Sequence, residues 1–458
     1  MTANDVRSDF IRAACVPRDE WHSSGTLERA EQILAANPEL LGSDIYVAAV
    51  LGDEASVRRF LERDPGSATR KAPPHDWDAL THLCFSRYLR LDPSKSEGLV
   101  GAARALLDAG ASANSGWFEH NHQPEPEWES VLYGAAGVAH HAPLTRLLLE
   151  RGADPNVDEV LYHTPETHDN GALEALVESG KVTADGLAMM LLRKADWHDY
   201  HGITYLLEHG ADPNRRTRWG KTAFHNAVLS DNWIGMLELM LDHGADPTLV
   251  ATHPERSSRE LSGRSGVAMA ARRGRRDLLE RLRTRGVSLE LAGLDNLLLA
   301  CAMGDAATAR AIADREPEVM GELQDDAGQV LAEFAGVGNT DGVRLLVDLG
   351  VSVSAPFATR DEYWDITPES TALHVAAWRA RHDTVKLLID RGAPVNARDG
   401  KGRTPLALAV KACVDSYWME DRSPESVRAL LAAGASVDGV KYPSGYAEVD
   451  ELLRPHFA

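Results

Sequence analysis

Residues 148–156 read Leu-Leu-Glu-Arg-Gly-Ala-Asp-Pro-Asn, and residues 206–214 read Leu-Leu-Glu-His-Gly-Ala-Asp-Pro-Asn. Varied forms return at 240–248, 388–396 and 430–438. Before the first of these runs Pro143-Leu144-Thr145-Arg146-Leu147-Leu148-Leu149, whose leucines at i, i+3 and i+4 make one apolar helical face. The glycine that follows supplies the positive φ at which a helix stops and a side chain with a β-carbon is strained. A unit of this size cannot close a core alone; it buries its apolar face against the next copy.

The glycines ending the strong copies are Gly110, Gly152, Gly210, Gly244, Gly286, Gly350, Gly392 and Gly434, spaced by 42, 58, 34, 42, 64, 42 and 42 residues. A unit of about 33 residues with insertions accounts for all of them. A further helix opens most copies. Thr404-Pro405-Leu406 has a capping threonine and a proline where a missing N–H is harmless, and Thr371-Ala372-Leu373-His374 and Thr222-Ala223-Phe224-His225 open others. Near 163–180 the first helix is expected to be short, because Thr164-Pro165 is followed almost at once by Asn170-Gly171.

These residues resemble ankyrin repeats: a Thr-Pro-Leu-His-type helix start, a leucine-paired second helix, then Gly-Ala-Asp-x-Asn. The copies at 185–248 and 367–438 match closely, and those at 9–77 and 264–353 only in rhythm. The resemblance implies an all-α repeat solenoid of about twelve helix-turn-helix units with short β-hairpin connections, several carrying long loop insertions. It also implies protein binding on a concave surface of hairpin tips and first helices. His225 and His374 would then tie backbone together rather than act on a ligand. The expected organisation is divergent repeats over 1–114, a finger loop at 115–130, central repeats over 131–255, an arginine-rich and divergent stretch at 256–353, a second finger at 354–366, C-terminal repeats over 367–438 and a cap at 439–458.

Composition narrows the function. The formal net charge of −21 repels nucleic acid and anionic membranes over most of the surface. Cys15, Cys84, Cys301 and Cys413 lie far apart among small apolar residues, as buried reduced thiols do. No stretch is apolar for long enough to span a membrane and the N-terminus lacks a secretory pattern, so the cytoplasm is the expected compartment. No phosphate loop, nucleophile elbow or zinc-protease motif occurs, and the histidine pairs His120/His122, His140/His141 and His198/His201 fall short of a zinc ligand set. No catalytic residue, cofactor or metal is expected.

Binding residues are sought where copies depart from the repeat. Residues 116–129 carry Trp117, Phe118 and Trp128 among four glutamates, and 356–365 carry Tyr363 and Trp364 among carboxylates. These rings are read as anchors for a protein partner or, equally, as a lid over the core. Arg218, Trp219 and Lys401 stand at hairpin tips, where the resemblance implies contacts. Residues 256–285 hold ten arginines against three acids; Arg272, Arg273, Arg275 and Arg276 are candidates for an acidic partner segment, against internal pairing. Rings in the turns at Tyr88–Glu97, Trp197–His201 and Tyr417–Asp421 are expected to pack beneath those turns. The leading reading is a non-catalytic adaptor for an unidentified protein. The alternatives are a small or cationic ligand held by aromatic and acidic side chains, and a plain spacer.

Overall fold

The computed structural model of the protein describes residues 3–16, 24–120, 125–252, 263–358, 365–415 and 422–457. Its contacts divide the chain into two compact units, Met1–Asn226 with Asp242–Ala245, and Ala227–Leu241 with Asp246–Ala458.

The first unit is built from paired helices. Ala3–Ala14 pairs with Glu28–Ala36, Ile45–Leu51 with Glu54–Arg63, and Ala79–Cys84 with Ser96–Asp108, while Gly171–Glu178 packs on Ala142–Glu150 and Asp158–His163 on Ala184–Asp196. Ala184–Asp196 pairs with Tyr200–Glu208, while Val131–Tyr133 runs on as a π-helical turn, Gly134–Val138, before Ala142–Glu150. The second unit repeats the scheme, with pairs such as Gly266–Arg272 and Arg276–Thr284, Ala327–Val337 and Thr340–Asp348, and Ala372–Trp378 and His382–Asp390. Helix Ala447–Leu453 closes its end, burying Val449 and Leu453. Among the described residues one connection forms a sheet, β1 (Gly116–Glu119) antiparallel to β2 (Glu127–Ser130). Elsewhere the expected hairpins are tight turns or single bridges such as Val250↔Ser265.

The repeated residues hold these pairs in two ways. At Gly392, with φ 81°, the Ala393 N–H reaches back to Leu388 O at 2.9 Å and the Gly392 N–H to Ile389 O at 2.9 Å. This satisfies carbonyls that the helix end leaves open. The asparagine of each motif then reaches into the following copy. Asn114 donates to Gly152 O at 2.9 Å and accepts from Asp154 N at 2.8 Å. Asn156 does the same with Lys181 O and Thr183 N, and Asn396 with Gly434 O and Ser436 N. Copies are thereby clasped backbone to side chain along each unit.

His374 acts as the resemblance implied. Its Nδ1 accepts from the Thr371 N–H at 3.0 Å, and its Nε2 lies 3.1 Å from Ala397 O and 3.2 Å from Arg403 O in the next turn. Burial lowers its pKa, so the ring is held neutral. His225 makes the same contact with Thr222. All four cysteines are free and buried; Cys15 lies just beyond its helix rather than within it.

Two local readings need correction. The first helix of this copy, Asp158–His163, has six residues as Ala79–Cys84 does, and it lies before Thr164 rather than after it; Thr164 ends it with its hydroxyl on Val160 O at 2.6 Å. Among the turn aromatics, Tyr88 is buried with its hydroxyl on Glu31 at 2.6 Å, but Trp197 and Tyr200 stay partly exposed. Tyr417 and Trp418 fall outside the described residues.

Candidate functional site

Successive side chains on a strand point to opposite faces, and this decides what the first finger does. Trp117 pairs with Glu129 and Phe118 with Trp128 in register. Trp117 turns inward, 5.3 Å between ring centres from the buried Trp77 and 5.9 Å from Phe85. Phe118 turns outward at 52% exposure and meets Trp128 edge-on at 4.7 Å. Lid and outward-facing aromatic pair, Phe118 exposed and Trp128 half-buried, are two faces of one hairpin. Residues 121–124, between the strands, lie outside the described residues.

Strand β2 packs on helix Asp158–His163, and the same helix supports a hairpin tip. Its Tyr162 meets Trp219 edge-on at 5.7 Å, with the Arg193 guanidinium 4.0 Å from the Tyr162 ring centre. Arg218 pairs with Asp158 and lies 5.2 Å from the Trp219 ring. The structure thus brings strand β2 and the Arg218–Trp219 tip onto one short helix, an association that their positions in the sequence do not reveal.

Beneath them lies a buried set of ionisable groups. His163 is hydrogen-bonded to Glu159 at 3.0 Å and to Glu166 at 2.8 Å. Burial alone would lower its pKa, but the two carboxylates hold it up at about 9. Glu166 also pairs with Arg193. Glu129 is 5% exposed; burial, helped by Glu159, pushes its pKa up to about 8, and its Oε2 has no hydrogen-bond partner. At neutral pH Glu129 is therefore a neutral acid. Nothing in residue 129's glutamate-rich neighbourhood singled it out; the alternation Trp117-in, Phe118-out was the available signal.

In the second unit the arginine run does not stand open. Arg272 pairs with Asp295 and, at 3.4 Å, with Asp326. Arg273 is buried between Asp231 at 2.6 Å and Glu333 at 2.7 Å. Arg275 is fixed by Asp277 at 2.8 Å and by Asn232 O at 2.9 Å, and Arg276 by Glu280 at 2.8 Å. Their partners come from within the fold, the internal pairing that was weighed against an acidic partner segment. Lys401 is exposed and pairs with Asp365 at 2.6 Å, as does Arg403. Tyr363 and Trp364 lie outside the described residues. Among those described, no group of three or more metal-ligating side chains converges, and no helix is long and apolar enough to cross a membrane.

Comparison with known proteins agrees with this architecture. The family described as ankyrin repeats (3 copies) matches residues 338–440, and that described as ankyrin repeats (many copies) matches 191–241. Serine/threonine-protein kinase 12 of Arabidopsis thaliana is 39% identical over 85 residues, 19% of this chain, which spans only 17% of that kinase's length. The crystal structure of the human ASB11 ankyrin repeat domain is 22% identical, covering 60% of this chain and 96% of that one; its TM-score of 0.25 is too low to add to the argument. Ankyrin repeats generally mediate protein–protein interaction. With clasped glycine–asparagine joints, histidine-locked helix starts and matches at 191–241 and 338–440, the chain is an ankyrin-repeat protein.

Proposed function

We propose that the chain is a non-catalytic adaptor, acting in the cytoplasm, that holds a partner protein on the hairpin side of its first unit. The observation that carries this is the Phe118–Trp128 pair. Phe118, exposed and edge-on to the half-buried Trp128, is costly to keep in water, and here the opposite face of the same hairpin is anchored in the core by Trp117. Rings held rigidly before contact lose little entropy on binding. Arg218 and Trp219, carried by the helix beneath β2, extend the surface with a cation and a third ring. Trp117 serves as the support rather than the contact. Lys401, Tyr363 and Trp364 would belong to a separate contact in the second unit.

The test is affinity capture from a native lysate with wild type and with Phe118→Ser/Trp128→Ser, both checked for equal thermal melting. A protein retained by wild type and lost from the double variant supports the reading. Equal retention by both, with Trp219→Ser also without effect, overturns it.

A further inference from the structure

Residues 111–180 hold twelve acids against two arginines, a balance of −10 where the whole chain carries −21. Between Arg104 and Arg146 there are five acids and no lysine or arginine. The finger lies within that stretch, and register decides where its charges stand. Glu119 stands opposite Glu127 across the strands. Both share a face with Trp117 and Glu129, since side chains two residues apart on a strand point the same way. Like charges directly opposite one another weaken a strand pair, and the finger has no lysine or arginine to offset them.

Neighbouring connections are built differently. Asp158 is matched by Arg218, and Asp185 by Arg215 at 2.5 Å. Glu125, exposed, and Glu127, half-buried, pair with no cation among the described residues. Glu129 shows the shortage directly. It is 5% exposed, and its Oε2 has no hydrogen-bond partner among the described residues. Burial and the charges of Glu159, Glu119 and Glu127 outweigh His163 and keep its proton on up to about 8. A surface that neutralises one of its own acids for want of positive charge is complementary to a cation brought from outside.

The opposite face of the hairpin offers rings. In an edge-on pair one ring keeps both of its faces clear of the other, and Phe118 and Trp128 meet this way with centres 4.7 Å apart. Phe118, at 52% exposure, presents open ring surface. A guanidinium is drawn to a ring face and is more weakly hydrated than an ammonium, so it gives up water more readily there. Charges are screened over about 10 Å at 0.1 M salt. A cation on the outer rings therefore still feels the carboxylates on the inner face of the same two-stranded ribbon.

Resting on the reading of this face as partner-binding, we infer that the partner segment it holds is basic and bears arginine. One guanidinium stacks on the Phe118–Trp128 pair, inside the field of Glu119, Glu125 and Glu127. A purely apolar segment would cover the rings but strip water from carboxylates left unpaired, which is costly. An acidic segment would be repelled before contact.

Fluorescence anisotropy with dye-labelled hexa-arginine, hexalysine and hexaglutamate peptides and the full chain tests this, at about 20 and 150 mM salt. Hexa-arginine is expected to bind with a Kd of about 10–100 µM at the lower salt and more weakly at the higher. Hexalysine should bind about threefold more weakly still, and hexaglutamate should not bind. Glu125→Gln/Glu127→Gln should weaken both basic peptides about fivefold, and Phe118→Ser/Trp128→Ser should erase the preference for arginine. If the double glutamate variant melts early, Glu125→Gln alone, at an exposed position, carries the test. Glu318→Gln/Glu322→Gln removes the same charge from exposed positions of the second unit and should change nothing. Equal weakening by that control pair, or hexa-arginine bound no better than hexaglutamate, overturns the proposal. Lysate capture that needs Phe118 and Trp128 but survives Glu125→Gln/Glu127→Gln also overturns it, while leaving the adaptor reading intact. Capture indifferent to both rings is the separate result that removes the adaptor reading itself.

Discussion

Asp231 and Arg379 stand 148 positions apart in the chain and share a buried ion pair within the second unit. Asp231, at φ 51°, is also gripped by Arg273 through two hydrogen bonds of 2.9 and 2.6 Å. Three inter-helix turns therefore meet on one carboxylate. Burial alone would raise its pKa; Arg273 and Arg379 override this and hold it far below the usual carboxylate range.

Asp231→Ala is expected to cost about 3–5 kcal/mol, because it strands two buried guanidinium groups. Since the folded pKa lies below the unfolded one, the stabilisation is complete at neutral pH. It is lost as pH falls from about 4 through the folded pKa. Urea melts of wild type and Asp231→Asn between pH 3 and 7 should show a shallower acid dependence in the variant; parallel curves would contradict the assignment.

The first unit should respond in the opposite direction. Glu129 and His163 keep their protons in the folded state to about 8 and about 9, above the ordinary values of about 4.3 and 6.5. The stability they lend is therefore full at acid pH and is lost as pH rises, with the last of it gone above about pH 9. Hydrogen exchange over 116–130 and 158–166 should accelerate between pH 6 and 9.5 beyond the intrinsic chemical rate. Glu129→Gln should reduce that excess, and an unchanged excess would exclude Glu129 as its source.

Neighbouring residues of β1 should separate folding from binding. Trp117→Ala removes a ring packed on Trp77 and Phe85 and should destabilise by about 2–4 kcal/mol. Phe118→Ser, on the outer face, should change stability by less than about 0.5 kcal/mol while reducing partner capture. Thermal melts beside pull-down yields distinguish the two effects.

Breaking one joint should fray one end. Asn396→Ala removes the bonds to Gly434 and Ser436, and a loss of about 1–2 kcal/mol is expected. Amide exchange should quicken mainly over 425–453, where the final helices pack; uniform quickening through the second unit would show the joint to be global instead.

The fold was legible because glycine, asparagine and threonine recur at fixed offsets, each tied to one backbone task. Thr164-Pro165 misled because the pair that opens one helix also follows the end of another. The arginine run could not be read correctly from its own neighbourhood. Of the acids that occupy it, Asp231, Asp295, Glu333 and Asp341 lie 23 to 65 positions from their partners. The finger posed a choice between anchor and lid that strand alternation dissolves, and register is invisible until β1 meets β2.

The asparagine joint joins points close in space whatever the contour between them. Asn114 reaches Gly152 across the whole β1–β2 finger, and Asn396 reaches Gly434 across a lengthened turn. A loop within that span can thus be lengthened without disturbing the joint, provided the side chains that anchor it, Trp117 among them, are kept. New recognition side chains can be trialled on the outer face of the finger while its inward ring keeps the scaffold intact.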